Sequence, residues 1–199
     1  MATLTFFFAQ MGAGKTEALM SSAYHSEQAG IRTVVATTQD RELAKVRSRL
    51  GGSRDAVVLD ASVSPRERLL QGPGTPPQAV LIDEAQFLLA WQVDELCALV
   101  DEHDIDVICY GLRADAFEQL FTGSARLFAI ADRVCELQLQ ARCWCGQTAT
   151  HNARTSAGEI VRSGTQVQLD DGQGDITYEP LCRSHFRSGL TRHQQRTAA

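Results

Sequence analysis

Eight consecutive residues, Ala9-Gln10-Met11-Gly12-Ala13-Gly14-Lys15-Thr16, carry the strongest chemical signal in the chain. Glycines let a backbone fold tightly around an anion, and the N–H groups of such a turn, with a helix N-terminus behind it, stabilise phosphate charge. Lys15 is placed to reach the β- and γ-phosphates of a bound nucleotide, and the Thr16 hydroxyl to ligate Mg²⁺. The strict pattern has glycine at its first position, where this chain has Ala9. A chance glycine-rich turn with a surface lysine is the plainer alternative. The flanking elements and a matching acidic motif downstream argue against it.

That acidic motif is Ala79-Val80-Leu81-Ile82-Asp83-Glu84, an apolar run ending in two carboxylates. Asp83 fits the aspartate that holds Mg²⁺ across from a phosphate loop. Glu84 then falls near the γ-phosphate, where a carboxylate can take a proton from an attacking hydroxyl or water. The simpler role for the pair is to cap a helix starting near Phe87. Asp83-Glu84-Ala85-Gln86 also looks like the acidic motif of helicases, but those need two nucleotide-binding domains and 199 residues hold one.

A third group of reactive side chains lies near the C-terminus. Cys143-Trp-Cys145 and Cys182-Arg-Ser-His185 form two short pairs about 36 residues apart. Three thiolates and one imidazole complete a tetrahedral Zn²⁺ site, and with every position filled by protein the zinc is structural. Cys97, Cys109 and Cys135 sit in helix or strand patterns and are expected as core fillers. His25, His103, His151 and His193 have no partner pattern and are expected to face solvent.

The elements that must position these groups alternate. Leu4–Ala9 reads as a buried strand, Lys15–Ala29 as a helix stopping at Gly30, and Arg32–Ala36 and Ala56–Leu59 as short β-branched strands. Gly72–Pro77 is a loop, Ala79–Asp83 a buried strand, Phe87–Val100 an amphipathic helix and Val107–Tyr110 the next strand. Apolar strands separated by helices predict an α/β fold with a parallel sheet flanked by helices. Near Gln140 the chain turns glycine-rich and polar. This organises it as a nucleotide-binding domain over 1–140, a small β-rich zinc-binding module over 141–190 and a flexible basic tail over 191–199. Hydrophobic residues make up 44%, charged residues 22%, and the net charge is -5, an ordinary globular composition that argues against a broad nucleic-acid surface. No apolar run approaches membrane-spanning length, and the start lacks signal-peptide features, so neither a membrane nor a nucleic-acid partner is expected and the location is expected to be cytoplasmic.

Taken together, the motifs resemble the type II thymidine kinase family over Leu4 to about Phe186. Met11-Gly12-Ala13-Gly14-Lys15-Thr16 resembles the family's phosphate loop, and Ile82-Asp83-Glu84-Ala85-Gln86-Phe87 its acidic motif, which makes Glu84 the catalytic base. Gly111-Leu112-Arg113 and Leu120-Phe121-Thr122-Gly123-Ser124 resemble the loop around the thymine ring. The Cys/Cys/Cys/His set resembles the zinc-held lasso module, and Tyr178 falls where the family has a tyrosine near the sugar. Asp40-Arg41 and Ser48-Arg49-Leu50-Gly51 resemble a shortened form of the family's mobile loop. The chain departs from the family at Ala116, where a phenylalanine is usual and Phe117 stands beside it, and at Asp170-Asp171-Gly172, in place of a Gly-Gly pair within a longer Val167–Tyr178 lasso.

The resemblance implies transfer of the γ-phosphate of ATP to the 5′-hydroxyl of thymidine. It implies ATP contacts from residues 9–16, Asp83 and Gln86, with Mg²⁺ on Thr16 and Asp83. Thymidine contacts are implied from Phe87, Leu112, Phe117, Phe121 and Tyr178. The cofactors implied are ATP, Mg²⁺ and structural Zn²⁺, and the assembly implied is a homotetramer. The competing class is a P-loop ATPase using a zinc ribbon for regulation or nucleic-acid binding, and a narrower variant keeps the kinase but changes the pyrimidine nucleoside.

Overall fold

The computed structural model describes residues 1–38, 44–71, 75–167 and 176–197. Asp40-Arg41, the start of the 72–77 loop and Asp170-Asp171-Gly172 lie outside the described residues. In chain order the elements are β1 (Leu4–Phe8), α1 (Lys15–Gln28), β2 (Thr33–Thr37), β3 (Lys45–Arg47), β4 (Ser53–Asp55), β5 (Val57–Val58), α2 (Pro65–Leu70) and β6 (Ala79–Asp83). There follow α3 (Ala90–His103), β7 (Asp106–Gly111), α4 (Thr122–Ile130), β8 (Arg133–Glu136), β9 (His151–Ser156), β10 (Glu159–Ile160), β11 (Ile176–Leu181), α5 (Arg183–Ser188) and α6 (Arg192–Thr197).

Six strands form one parallel sheet in the order β5-β2-β6-β7-β1-β8. Its central strands β1, β6 and β7 are largely buried on both faces because helices cover both, while the edge strand β8 is mostly exposed. The alternation of side chains along β6 shows how. Val80 and Ile82 join Leu4, Phe6, Leu96 and Val107 in one core, while Ala79 and Leu81 join Leu19, Ala23, Val35 and Tyr110 under α1 in the other. The strands end at β1, β6 and β7 on a common edge, and there the phosphate loop, the acidic pair and Gly111 meet.

The helix expected over Phe87–Val100 begins later, at Ala90. Glu84 takes a left-handed conformation (φ 55°), which ends β6 and throws Ala85–Phe87 into a short 3₁₀ turn. Leu88 and Leu89 are then extended, and α3 starts once Gln92 Oε1 accepts the Leu89 N–H at 2.9 Å. Gln92 is itself buried, and its Nε2 donates to the Asp60 and Val63 carbonyls. Asp83 and Glu84 therefore do not cap α3.

The C-terminal module is a second, antiparallel sheet in the order β10-β9-β11, with α5 packed on it. The basic tail, expected as a flexible segment, carries α6 over Arg192–Thr197. Thr191 anchors its start, buried, with its hydroxyl donating to the Gly158 carbonyl at 2.6 Å. Ser48-Arg49-Leu50-Gly51 forms the turn of the β3–β4 hairpin, and Ser48 Oγ donates to Glu17 of α1 at 2.7 Å. No helix among the described residues is long and apolar enough to cross a membrane.

Candidate functional site

The phosphate loop leaves β1 and turns into α1 through Gly14, whose φ of 78° is a left-handed conformation that a side chain would strain. Inside the loop, Lys15 Nζ donates to the Gln10 carbonyl at 3.0 Å. Lys15 is buried, and desolvation pulls its pKa below the ordinary lysine value against the opposing charges of Glu84 and Asp83.

Asp83 ends β6 directly across from Thr16, whose hydroxyl donates to Asp83 Oδ2 at 3.0 Å. Burial and then the neighbouring Glu84 charge raise the Asp83 pKa to about 6, despite the Thr16 and Glu84 hydrogen bonds that favour its carboxylate. Two hard oxygen donors side by side suit Mg²⁺, which keeps its remaining positions for water and phosphate.

Glu84 is held at both ends of its strained backbone. Asp83 Oδ1 accepts its N–H at 3.0 Å, and Thr38 Oγ1 donates to its carbonyl at 2.7 Å. Its side chain accepts from Gln86 Nε2 at 2.6 Å, and Gln86 Oε1 in turn accepts the Leu112 N–H at 3.0 Å. Both ends of the buried Gln86 amide are thus engaged inside the protein, although the sequence placed this residue among the ATP contacts. A left-handed non-glycine residue costs on the order of 1 kcal/mol, and such strain persists only where several contacts over-determine it.

Beside Glu84 the rings of Phe87 and Phe121 meet edge to face, with centroids 5.5 Å apart. α4 approaches this turn so closely that a Cβ on Gly123 would lie 2.5 Å from the Ala85 carbonyl oxygen. Ser124 Oγ donates to the Leu112 carbonyl at 2.5 Å, fixing the β7–α4 loop. Gln86, Phe87, Leu112 and Phe121 are therefore brought together. Phe117 and Tyr178 form a separate pair of rings around the Arg154 guanidinium.

The four predicted metal ligands converge. The ligand atoms of Cys143, Cys145, Cys182 and His185 all lie within 4.8 Å of one another. His185 Nδ1 is 3.3 Å from Cys143 Sγ and 3.4 Å from Cys182 Sγ, and Cys145 Sγ is 4.0 Å from Cys182 Sγ. Thiolates ~2.3 Å from a central ion in a tetrahedron are about 3.8 Å apart, so the set fits Zn²⁺. Burial opposes the Cys143 and Cys182 thiolates, but surrounding N–H donors outweigh it, and both pKa values fall below the ordinary thiol range. Trp144 stacks on the His185 ring at 4.1 Å. Cys109 is fully buried, while Cys97 and Cys135 are half-buried.

Several residues of this region gave no sequence signal. Asn152 Oδ1 accepts the Met11 N–H at 2.9 Å, and Gln10 Nε2 donates to the Thr150 carbonyl at 3.0 Å. Strand β9 of the C-terminal module, with Thr150 just before it, thereby docks on the phosphate loop across about 140 residues of chain. His151, expected to face solvent, stacks on Phe186 at 4.4 Å with Nε2 3.1 Å from Glu118 Oε1. Burial lowers its pKa, against the raising effect of Glu118. Phe7, Ala18, Leu137 and Leu139 line an apolar cavity of about 440 Å³ beside Gly14.

The thymidine kinase family profile matches residues 2–186. Full-length similarity runs to the thymidine kinase of Streptomyces coelicolor, 40% identical over 100% of this chain and 95% of that protein. The thymidine kinase of Cutibacterium acnes is 41% identical over 96% of this chain and 91% of its own length. That of Streptomyces avermitilis is 38% identical, with the same two coverages. With its phosphate loop, acidic strand end and Cys₃His cluster, the chain belongs to the thymidine kinase family.

Proposed function

We propose that the chain transfers the γ-phosphate of ATP to the 5′-hydroxyl of thymidine. Family membership supports the reaction. The observation that carries the residue assignment is the Glu84 carboxylate, held by Gln86 at 2.6 Å next to the Asp83–Thr16 pair.

In this reading Glu84 accepts the 5′-hydroxyl proton as transfer proceeds. Lys15 and the loop N–H groups balance phosphate charge, and Thr16 and Asp83 would hold Mg²⁺, which would supply further positive charge to the phosphates. Gln86 acts on Glu84, keeping its carboxylate aimed. The apolar cavity beside Gly14 takes the adenine. Phe87, Leu112 and Phe121 build one wall of the thymidine slot, with Phe117 and Tyr178 on the other. Most of the acceleration comes from positioning and electrostatics, as phosphoryl transfer requires little covalent help. Enclosing the slot excludes water, the competing acceptor.

Cys143, Cys145, Cys182 and His185 would hold Zn²⁺, which staples the small module so that β9 can brace the phosphate loop. The proposed setting is the cytoplasm and the proposed assembly a homotetramer, both resting on the family resemblance. The deciding experiment is ATP-dependent phosphorylation across a nucleoside panel, with DNA-stimulated ATP hydrolysis measured alongside. Phosphorylated thymidine is expected. DNA-stimulated hydrolysis without any phosphorylated nucleoside would instead favour the regulatory ATPase.

A further inference from the structure

Arg154, on β9, is only 1% exposed, the largest side chain so deeply buried among the described residues. No described carboxylate pairs with it. Burying a guanidinium is costly, and an aliphatic side chain would fill the same space without that cost. What an aliphatic chain lacks is the fork of donors.

The guanidinium uses that fork in three directions. Nε donates to Tyr178 Oη at 3.0 Å, on the neighbouring strand β11. Nη2 donates to the Gln166 carbonyl at 3.1 Å. Its plane lies over the Phe117 ring, 5.0 Å from the centroid, and 5.6 Å from that of Tyr178. Gln166 reaches further, its Nε2 donating to the Leu120 carbonyl at 3.4 Å. Phe117 belongs to the β7–α4 loop of the nucleotide-binding sheet domain, and Tyr178 to the zinc module. One side chain therefore touches both rings and spans the junction between the modules. Cation–π contact and charge-assisted hydrogen bonds offset its desolvation.

We propose that Arg154 is a positioning residue for the nucleoside, setting the separation and tilt of the Phe117 and Tyr178 rings without touching substrate. The inference rests on the proposed placement of thymidine between those two rings and the Phe87 side. Lysine cannot replace it, because a single ammonium reaches one partner where the planar fork reaches two and stacks as well.

The test is steady-state kinetics with thymidine and ATP varied separately, on the wild type, Arg154→Lys, Arg154→Met, Tyr178→Phe and the double variant Arg154→Met/Tyr178→Phe, with bound zinc measured in each. Arg154→Met should raise KM for thymidine about tenfold or more, the scale of losing a hydrogen bond to a charged group, and leave KM for ATP within about twofold. Arg154→Lys should fall between it and the wild type, and zinc content should not change. The double variant should be no worse than about twofold beyond Arg154→Met, because both changes remove one contact. An unchanged thymidine KM, an equal rise in both KM values, or multiplicative effects in the double variant would each overturn the proposal. If the Arg154 variants do not fold, Tyr178→Phe alone decides: a several-fold rise for thymidine only is expected, and no change overturns it. A wild type that phosphorylates no nucleoside overturns the underlying reading and this inference with it. An active wild type with insensitive variants overturns this inference alone.

Discussion

Thr16, in the first turn of α1, donates its hydroxyl to Asp83 at the end of β6 at 3.0 Å, across 67 residues of chain. The bond exists because β1 and β6 are both parallel strands of one sheet whose C-terminal ends share an edge, so the loop after one faces the carboxylate ending the other. It also puts a carboxylate in a place that disfavours its charge.

The Asp83 pKa of about 6, against an ordinary 3.8, makes the metal-free protein pH-sensitive in a definite direction. The folded state binds this proton more tightly than the unfolded chain does. The group's contribution to stability is therefore fully present below about pH 4 and declines as pH rises through about 6, by roughly 3 kcal/mol for a shift of about two units. Mg²⁺ bound at Asp83, as proposed, would have to displace the proton at low pH and would find a bare carboxylate at high pH. Adding Mg²⁺ should raise the melting temperature more at pH 7.5 than at pH 5, and Mg²⁺ affinity should weaken about tenfold per unit below pH 6. Calorimetric titration at several pH values checks this, and Asp83→Asn should abolish the dependence.

Glu84→Gln tests the proton acceptor. The amide keeps the size and a hydrogen bond with Gln86 but cannot take the hydroxyl proton. Turnover should fall by about 10²–10⁴-fold, the usual scale of a lost general base, with nucleotide affinity within about threefold. Rapid-quench measurement of thymidine phosphorylation beside nucleotide-binding titration reads both. Near-normal turnover would remove Glu84 from the role.

Much of this site was legible in the sequence because its signals are local. The phosphate loop is contiguous, Asp83-Glu84 closes an apolar run, and the cysteine pairs are short-range. The parallel sheet was legible for a similar reason, since β6 and β7 are unbroken apolar runs. What was hidden depends on where distant segments meet. Asn152 reads as an ordinary strand residue until β9 docks on Met11. His151 reads as solvent-facing until Phe186 and Glu118 close around it. The late start of α3 was hidden because helical periodicity cannot register the left-handed Glu84 that delays it.

The docking of β9 makes a further expectation for the metal. Cys182→Ser should drop zinc from about one per chain to near zero by elemental analysis. The loss should also reach the phosphate loop, because Asn152 on β9 and Thr150 just before it reach Met11 and Gln10 from the module that holds the Cys/His cluster. KM for ATP is expected to rise several-fold, and Asn152→Ala, with zinc retained, should reproduce part of that rise by leaving the Met11 N–H without its acceptor. Zinc loss with unchanged ATP kinetics and stability would show that the site does not brace the loop.

Gly123→Ala separates tertiary packing from helix propensity by the sign of its effect. Replacing glycine by alanine within a helix ordinarily stabilises it by up to about 1 kcal/mol. Here a Cβ would lie 2.5 Å from the Ala85 carbonyl oxygen, 2.8 Å from that of Leu88 and 3.0 Å from that of Gln86. All three obstacles are backbone atoms, and the turn carrying them also carries Glu84 and Phe87, so none can yield cheaply. α4 has to move outward instead, spreading the Phe87–Phe121 contact from its 5.5 Å spacing. The variant should lose about 1–3 kcal/mol by denaturant unfolding, as overpacking does. Its KM for thymidine should rise more than its KM for ATP, since the displaced wall belongs to the proposed nucleoside slot and not to the phosphate loop. A neutral or stabilising substitution would mean that the approach of α4 to the Ala85–Phe87 turn does not shape the slot.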